Sequence, residues 1–448
     1  MEYMTGKTKK EELSISDILT CDGKVKEEYK KKNVKVEGAV HIIRDMGEVS
    51  FIILRKSEGC VQCVCDKKQV ENFHDVKENS TVIISGILNK EERAPFGFEV
   101  AVKEINILTS PKEPMPIQIN KWKMTANLET LLNQRMLTLR NIRERAKFKI
   151  QEGIVRGFRE YLYSQNFTEV RTPKIVAKGA EGGANIFKLE YFGKKAELAQ
   201  SPQFYKQAMV GVYDRVFEVA PVFRAEKHST HRHLNEYTSM DFEMGYIKSF
   251  KDIMEMEAGM LSYVMKLLKE EYSKELNLLN VMLPDVEKIP TVKFTEAKEL
   301  VSKKYNREIR NPFDLEPEEE SLIGRYFKEE YDSDFVFVTH YPSKKRPFYA
   351  MDDPEDARFT LSFDLLFRGI EITTGGQRIH DYDEIRNKME KRGMTGEGMD
   401  NYLDIFKYGM PPHGGLGIGL ERLTMKLLGY DNVRETTMFP RDLNRLVP

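Results

Sequence analysis

Arg224 and Glu226, and again Asp241 and Glu243, stand two positions apart in stretches that read as β-strands, so each pair shares one face. The outgoing stretch is Val216 to Glu226 and the return stretch Thr238 to Tyr246, where Met240, Phe242 and Met244 occupy the opposite face. Charged residues along one side of an apolar strand are either solvated or line a cleft. The segment joining the two stretches, HSTHRHLNEY (228–237), holds three of the chain's eight histidines together with Arg232. Imidazole and guanidinium gathered beside a paired Arg and Glu suit a triphosphate, whose charge calls for fixed donors.

A second candidate is SFDLLFRGIEITTGGQR (362–378), in which Arg368-Gly369 between apolar runs predicts a two-residue hairpin turn. That register sets Leu366 opposite Glu371 and Asp364 opposite Thr373. Asp364 and Glu371 then become diagonal neighbours on one face, close enough to share a hard cation. Oxygen ligands alone favour magnesium over zinc. The alternative is two carboxylates on a wet hairpin. In HGGLGIGLER (413–422) the glycines lack the G-x-G-x-x-G spacing of a dinucleotide loop. They would let a backbone come close to a ligand, with Arg422 projecting from the first turn of a helix from Leu420 to Leu428. Cys60, Cys63 and Cys65 have no second ligand pair at zinc spacing and read as strand-core residues.

These groups need elements to hold them. Near the N-terminus, Val34, Val36, Val40 and Ile42 recur at strand spacing. Further strands are expected at Glu48 to Arg55, Cys60 to Cys65, Ser80 to Leu88 and Phe98 to Ile107. Five short strands predict a small barrel of the OB type over residues 1–108, with a plain β-sandwich as the alternative. Pro111, Pro114 and Pro116 mark a linker (109–135), and residues 136–448 read as a second, α+β domain of long antiparallel strands with peripheral helices. One such helix carries Ile150, Ile154, Phe158 and Leu162 on one face.

Composition narrows the class. The 448 residues are 40% hydrophobic and 31% charged, ample for a core. No apolar run approaches the roughly 20 residues of a membrane span, and the charged N-terminus lacks a secretory h-region. Four cysteines argue against a disulfide scaffold and for a reducing cytosol. With 70 basic against 71 acidic side chains, a polyanionic partner would be met by local patches rather than by net charge.

Together the motifs resemble those of class II aminoacyl-tRNA synthetases. FRAE (223–226) is similar to the second class motif, GIGLER (417–422) to the third, and Pro173 to the proline of the first. QSPQFYKQ (200–207), THRHLNEY (230–237), GGQRIHD (375–381) and MFPRDLNRLVP (438–448) resemble the aspartyl-tRNA synthetase family. TTGGQRIHDYDE and YGMPPHGG are closest to its compact archaeal type. The chain departs from common family wording at Ala180 and at Thr373 to Gly376.

The resemblance implies an N-terminal five-stranded OB-fold barrel and a catalytic domain built on an antiparallel sheet flanked by helices. It implies two steps: aspartate and ATP give aspartyl-adenylate, and the aspartyl group passes to the 3′ end of tRNA(Asp), with tRNA(Asn) also charged by some members. Arg224 and Arg422 would act on the phosphates, with Tyr237 and Arg422 around the adenine. Glu226, His233, Glu236, Glu371 and Gly419 complete the implied ATP set. Asp364 and Glu371 would bind Mg2+. Lys206 and Arg378 would clamp the substrate side-chain carboxylate, Gln203 and Asp241 would receive the α-ammonium, and Glu181 and Thr374 would complete the aspartate site. In the barrel Phe51 would stack on an anticodon base while Gln62 and Glu99 read base edges. Pro173 implies a homodimer, and the family a cytoplasmic location with no membrane contact.

Three rivals stand beside this reading. An asparaginyl enzyme would bind a neutral amide, which has no need of two cations, so Lys206 with Arg378 favours aspartate. An ATP-dependent amide-forming paralogue would lack residues 30–108. A catalytically inactive RNA-binding scaffold would have no reason to keep the ATP and metal positions.

Overall fold

The computed structural model describes residues 13, 15–18, 25–57, 59–94, 97–178, 185–227, 230–394 and 399–448. The chain divides into two compact units, Met1–Thr125 with Arg140–Ile142, and Ala126–Leu139 with Arg143–Pro448.

The first unit is built on β1 (Asn33–Asp45), β2 (Val49–Lys56), β3 (Gly59–Asp66), β4 (Thr81–Lys90) and β5 (Phe98–Thr109). They close into a barrel in the order β1-β2-β3-β5-β4, with β3 and β5 parallel and the other pairs antiparallel. Closure leaves none of the five strands as an open edge. Strict alternation fills the interior: Val61, Cys63 and Cys65 point in, while Gln62 and Val64 point out. Cys63 and Cys65 are buried free thiols, and no group of three or more metal-ligating side chains occurs among the described residues.

The second unit contains an eight-stranded sheet. Its strands are β6 (Thr168–Glu169), β10 (Arg215–Phe223), β11 (Glu236–Gly245), β12 (Thr291–Lys293), β13 (Phe335–Thr339), β14 (Ser362–Phe367), β15 (Ile370–Gln377) and β16 (His413–Gly419). The order is β12-β13-β14-β15-β16-β11-β10-β6, antiparallel except at the two outer pairs. A separate three-stranded sheet joins β7 (Ile175–Val176), β8 (Lys188–Tyr191) and β9 (Lys194–Leu198). The long helix Ile142–Ser164 buries Ile150, Ile154, Phe158 and Leu162 against Phe217, Phe242 and the helix Lys251–Glu271. Glycines at 153 and 157 let that second helix approach, since a Cβ at 153 would fall 2.6 Å from Leu268 Cδ2.

One local feature adds to the sequence expectation and another differs from it. The run 413–419, read from sequence only as glycines that let a backbone come close to a ligand, forms the central strand β16. Gly415 serves close packing: a Cβ there would lie 2.1 Å from the Phe242 carbonyl and 2.3 Å from Glu243 Oε2. The β14–β15 turn is the two-residue hairpin expected, with positive φ at Arg368 and Gly369. Its register slips one residue further along, however. Leu366 faces Glu371, but a bulge at Ile372 puts Leu365 opposite Thr373 and Asp364 opposite Thr374, not Thr373. Among the described residues no helix is long and apolar enough to cross a membrane.

Candidate active site

A cavity of about 340 Å³ opens on the face of the large sheet between β11, β15 and β16 and the helix Gln203–Tyr213. Register builds its wall. Asp364, Thr374, Gly417 and Asp241 form one row across β14, β15, β16 and β11, so they share a face. Gly417 leaves a gap in that row, and a Cβ there would come within 3.0 Å of Asp241 Oδ1. The bulge at Ile372 decides which threonine joins in: Thr374 turns to the cavity with Glu371, and Thr373 turns inward.

One end of the cavity is buried. On the helix, Gln203, Lys206, Gln207 and Val210 recur at i, i+3, i+4 and i+7 and form its inner face. Lys206 Nζ lies 3.1 Å from Asp241 Oδ1 and 3.2 Å from Glu243 Oε2, and donates to the Leu416 carbonyl at 2.9 Å. Arg378 Nε donates to Glu243 Oε1 at 2.9 Å, and its Nη2 donates to the Gly415 carbonyl at 2.9 Å. Burial alone would push the Glu243 carboxyl up, but the Arg378 and Lys206 charges outweigh it and hold it below the ordinary value. Glu243 therefore ties together the two cations that were expected to clamp a ligand carboxylate. Its strand-face pairing with Asp241 was visible in the sequence, though its role as their shared anchor was not.

The other end is more open and richer in cations. Arg224 and Glu226 lie just beyond the end of β10, in the loop rather than on the strand as expected. Arg224 sits over the Tyr237 ring at 5.9 Å. Arg422, from the first turn of helix Leu420–Leu428, donates to the Glu371 carbonyl at 3.1 Å and lies 3.5 Å from Glu371 Oε1. His233 Nε2 is 3.4 Å from Glu226 Oε2, and its Nδ1 meets Thr230 Oγ1 at 2.6 Å. Burial lowers the His233 pKa; Glu226 opposes that and the Arg422, Arg232 and Arg224 charges add to it. Gly419 keeps its open side toward the cavity, with no atom closer than 3.9 Å to an added Cβ.

Of the residues singled out from sequence, Gln203, Lys206, Arg224, Glu226, His233, Tyr237, Asp241, Glu371, Thr374, Arg378, Gly419 and Arg422 all line this cavity. Glu236 begins β11 and bridges to Arg441 away from the cavity wall. Glu181 lies outside the described residues. Pro173 is exposed, just before β7. Asp364, at the β14 end of that row, is buried and does not itself line the cavity; Arg346 Nη2 donates to its Oδ1 at 2.7 Å. Burial raises the Asp364 pKa to about 6 against the pull of Arg346, and the Glu371 charge raises it further. Two carboxylates that repel each other, with oxygen donors only, fit a hard divalent cation.

Sequence reasoning missed Arg346, Glu320 and Glu257, and it marked Arg232 beside the loop histidines without its partner. Arg232 pairs with Glu320, a buried residue of helix Pro317–Tyr331 whose Oε2 also accepts the Glu371 backbone N–H at 3.2 Å. Burial, then the Glu371 charge, lifts Glu320 to about 7 against Arg232. Glu257, from helix Lys251–Glu271, accepts a 2.5 Å hydrogen bond from Thr373 Oγ1 beneath the sheet. Among the described residues its Oε2 has no partner, and burial pushes it up to about 8. Nothing local in these segments marks them, because each meets its partner only through the tertiary fold.

In the first unit, Phe51, Gln62 and Glu99 come together on the outer face of β2, β3 and β5. Phe51 pairs with Val64, two residues from Gln62, and Gln62 pairs with Glu99 and donates to it at 2.8 Å.

Comparison with known proteins agrees with this geometry. Residues 127–443 match the family of class II tRNA synthetases (D, K and N), and residues 34–108 match the OB-fold nucleic acid binding domain. The aspartate–tRNA(Asp/Asn) ligase of Deinococcus radiodurans is 46% identical over 94% of this chain and 97% of its own length. The aspartate–tRNA(Asp) ligase of Pyrococcus horikoshii is 40% identical over 95% and 98%. Among solved structures, Pyrococcus horikoshii asparaginyl-tRNA synthetase complexed with asparaginyl-adenylate superposes with a TM-score of 0.89 at 33% identity, covering 98% of this chain and 100% of that one. The aspartyl-tRNA synthetase of Entamoeba histolytica gives 0.85 at 28% identity, over 99% and 93%. With identity above two-fifths across nearly the whole of both chains, and the site residues gathered in one cavity, the chain belongs to the aspartate–tRNA ligase family of class II aminoacyl-tRNA synthetases.

Proposed function

We propose that the cavity activates L-aspartate with ATP and that the aspartyl group then passes to the 3′ end of tRNA(Asp). The observation that carries this reading is the buried cluster of Lys206, Arg378, Asp241 and Glu243 in one cavity with the arginine-rich open end. Lys206 and Arg378, held rigid by Glu243, receive the β-carboxylate; Asp241 and Gln203 receive the α-ammonium. Thr374 stands in the same row, and Glu181 is assigned to the aspartate site by its family resemblance. That leaves the α-carboxylate facing the α-phosphorus of ATP, which it attacks to release pyrophosphate. Arg224 and Arg422 neutralise charge on the phosphates, Tyr237 and Arg422 hold the adenine, and Glu226, His233, Glu236 and Gly419 position the nucleotide. No protein nucleophile takes part, so the rate gain comes from positioning and charge neutralisation. Asp364 and Glu371 would hold Mg2+, which supplies further neutralisation of the triphosphate when bound.

Residues 1–108 serve as the anticodon-binding domain through Phe51, Gln62 and Glu99, residues 109–135 as the hinge, and 136–448 as the catalytic domain. The enzyme is cytoplasmic and a homodimer, with Pro173 at the dimer interface. A second reading, that tRNA(Asn) is charged too, is favoured by the similarity to the Deinococcus radiodurans aspartate–tRNA(Asp/Asn) ligase. Aspartate- and asparagine-dependent ATP–pyrophosphate exchange tests the amino-acid assignment: exchange with aspartate alone is expected, and exchange driven by asparagine would overturn it. Aminoacylation of both transcripts decides the tRNA range.

A further inference from the structure

Behind Gln203 lies a chain of buried polar groups that do not line the cavity. His413 Nδ1 is 2.9 Å from the Pro411 carbonyl, and its Nε2 is 2.9 Å from Gln207 Nε2. Gln207 Oε1 lies 3.0 Å from both Gln203 Nε2 and Tyr402 Oη. Gln207 and His413 are fully buried, and Gln203 and Tyr402 nearly so.

Donor and acceptor counting gives this chain one polarity. The Pro411 carbonyl only accepts, so His413 Nδ1 carries the proton. Burial drives the His413 pKa down to about 4, opposed by Glu243, so the ring is neutral and Nε2 accepts. Gln207 must therefore donate from Nε2, which turns its Oε1 toward Tyr402 and Gln203. Gln203 in turn donates from Nε2, and Oε1 is the amide atom left for the cavity.

We propose that Gln207, locked by His413 and Tyr402, is a positioning residue that holds the Gln203 amide with its oxygen toward the substrate α-ammonium. A flipped Gln203 would present an NH2 group to a cation. The inference rests on the α-ammonium reading of Gln203 given above. It assigns an orienting role to two side chains, Gln207 and His413, that the ligand never touches.

The test uses the full chain in aspartate-dependent ATP–pyrophosphate exchange. Gln207→Met breaks all three links at similar volume and should raise KM for aspartate about tenfold, the scale of one lost hydrogen bond to a charge, with KM for ATP within twofold. Gln207→Glu still accepts from Gln203 and Tyr402, while His413 protonates to donate to it. It should restore KM to within about threefold, with the His413 ring observed as imidazolium by nitrogen NMR and as the Nδ1–H tautomer in the parent. Because Gln207 acts through Gln203, the Gln203→Met, Gln207→Met double variant should match Gln203→Met alone. An unchanged KM for aspartate in Gln207→Met, equal rises for aspartate and ATP, or additive effects in the double variant would overturn the proposal. Should Gln207→Met not fold, the Gln207→Glu kinetics and the His413 tautomer still decide it. If Gln203→Met itself leaves KM for aspartate unchanged, the fault lies with the Gln203 assignment and not with the relay.

Discussion

At its buried end the cavity matches Lys206 and Arg378 with Asp241 and Glu243, two cations against two carboxylates. At its open end Arg224, Arg232, Lys345, Arg346 and Arg422 line the wall with Glu226, Glu371 and Glu421, and Arg346 and Arg232 also pair with Asp364 and Glu320 beyond it. The buried end is therefore balanced before any ligand arrives and can discriminate by geometry. The open end spreads more cations over a more exposed wall, where the Arg422 and Glu371 side chains keep 25% and 37% exposure. Rigid, buried pairs suit the choice of a small amino acid, and more numerous, more exposed cations suit a phosphate chain bound in every cycle.

The comparison breaks most severely at the buried end. Lys206→Met leaves Asp241 and Glu243 facing Arg378 alone. Removing one partner of a buried charge pair costs about 3–5 kcal/mol, so kcat/KM for aspartate in exchange should fall roughly 10² to 10³-fold or more, with a lower melting temperature. Asparagine should lose less, narrowing the preference. A full aspartate preference in that variant would remove Lys206 from the site.

At the open end, Glu371→Gln should slow adenylate formation by about 10²-fold, with partial recovery at raised magnesium and little change in melting temperature. Glu371 is partly exposed, so its loss disturbs the fold less than that of Lys206. Equal thermal losses in the two variants would erase the distinction between the ends.

Phe51→Ala lies outside the cavity altogether and sharpens the contrast by sparing both ends. Loss of one base stack costs about 1–3 kcal/mol, so KM for tRNA should rise about tenfold while pyrophosphate exchange stays as it was. A fall in exchange would mean that Phe51 matters beyond the barrel.

The smallest effect on catalysis is expected from Glu257→Gln under the sheet. Glu257 is raised from 4.5 to about 8, so between those values the folded chain holds a proton that the unfolded chain releases. Stability therefore falls as pH rises through that window, and the variant lacks this loss. Thermal unfolding should find the two alike near pH 4.5 and the variant ahead by about 2 kcal/mol or more at pH 8. Parallel pH profiles would remove Glu257 as a buried acid.

Local pattern carried much of this into the sequence. Alternation made Asp241 and Glu243 legible as one face, Arg368-Gly369 encoded its own turn, and four-residue spacing revealed the inner face of helix Ile142–Ser164. Features that depend on one extra residue or on distant partners were not legible. Ile372, Thr373 and Thr374 are all β-branched, so no residue marks the bulge that swaps the two threonines. The strand at 413–419 was not legible from its glycines, because the reason for Gly415, the closeness of Phe242 and Glu243, lies on a neighbouring strand. Arg346 reaches Asp364 from a connecting segment, where sequence offers no periodicity to read.

The four-charge cluster also has a thermal signature. Hydration of ions becomes less favourable on heating, so the desolvation penalty of holding Lys206, Arg378, Asp241 and Glu243 out of water shrinks as temperature rises. Hydrophobic burial elsewhere in the sheet gains no comparable advantage per unit area. The amino-acid end of the cavity is thus built from the interaction whose cost declines with heat, and its geometry should outlast the surrounding packing as the protein warms.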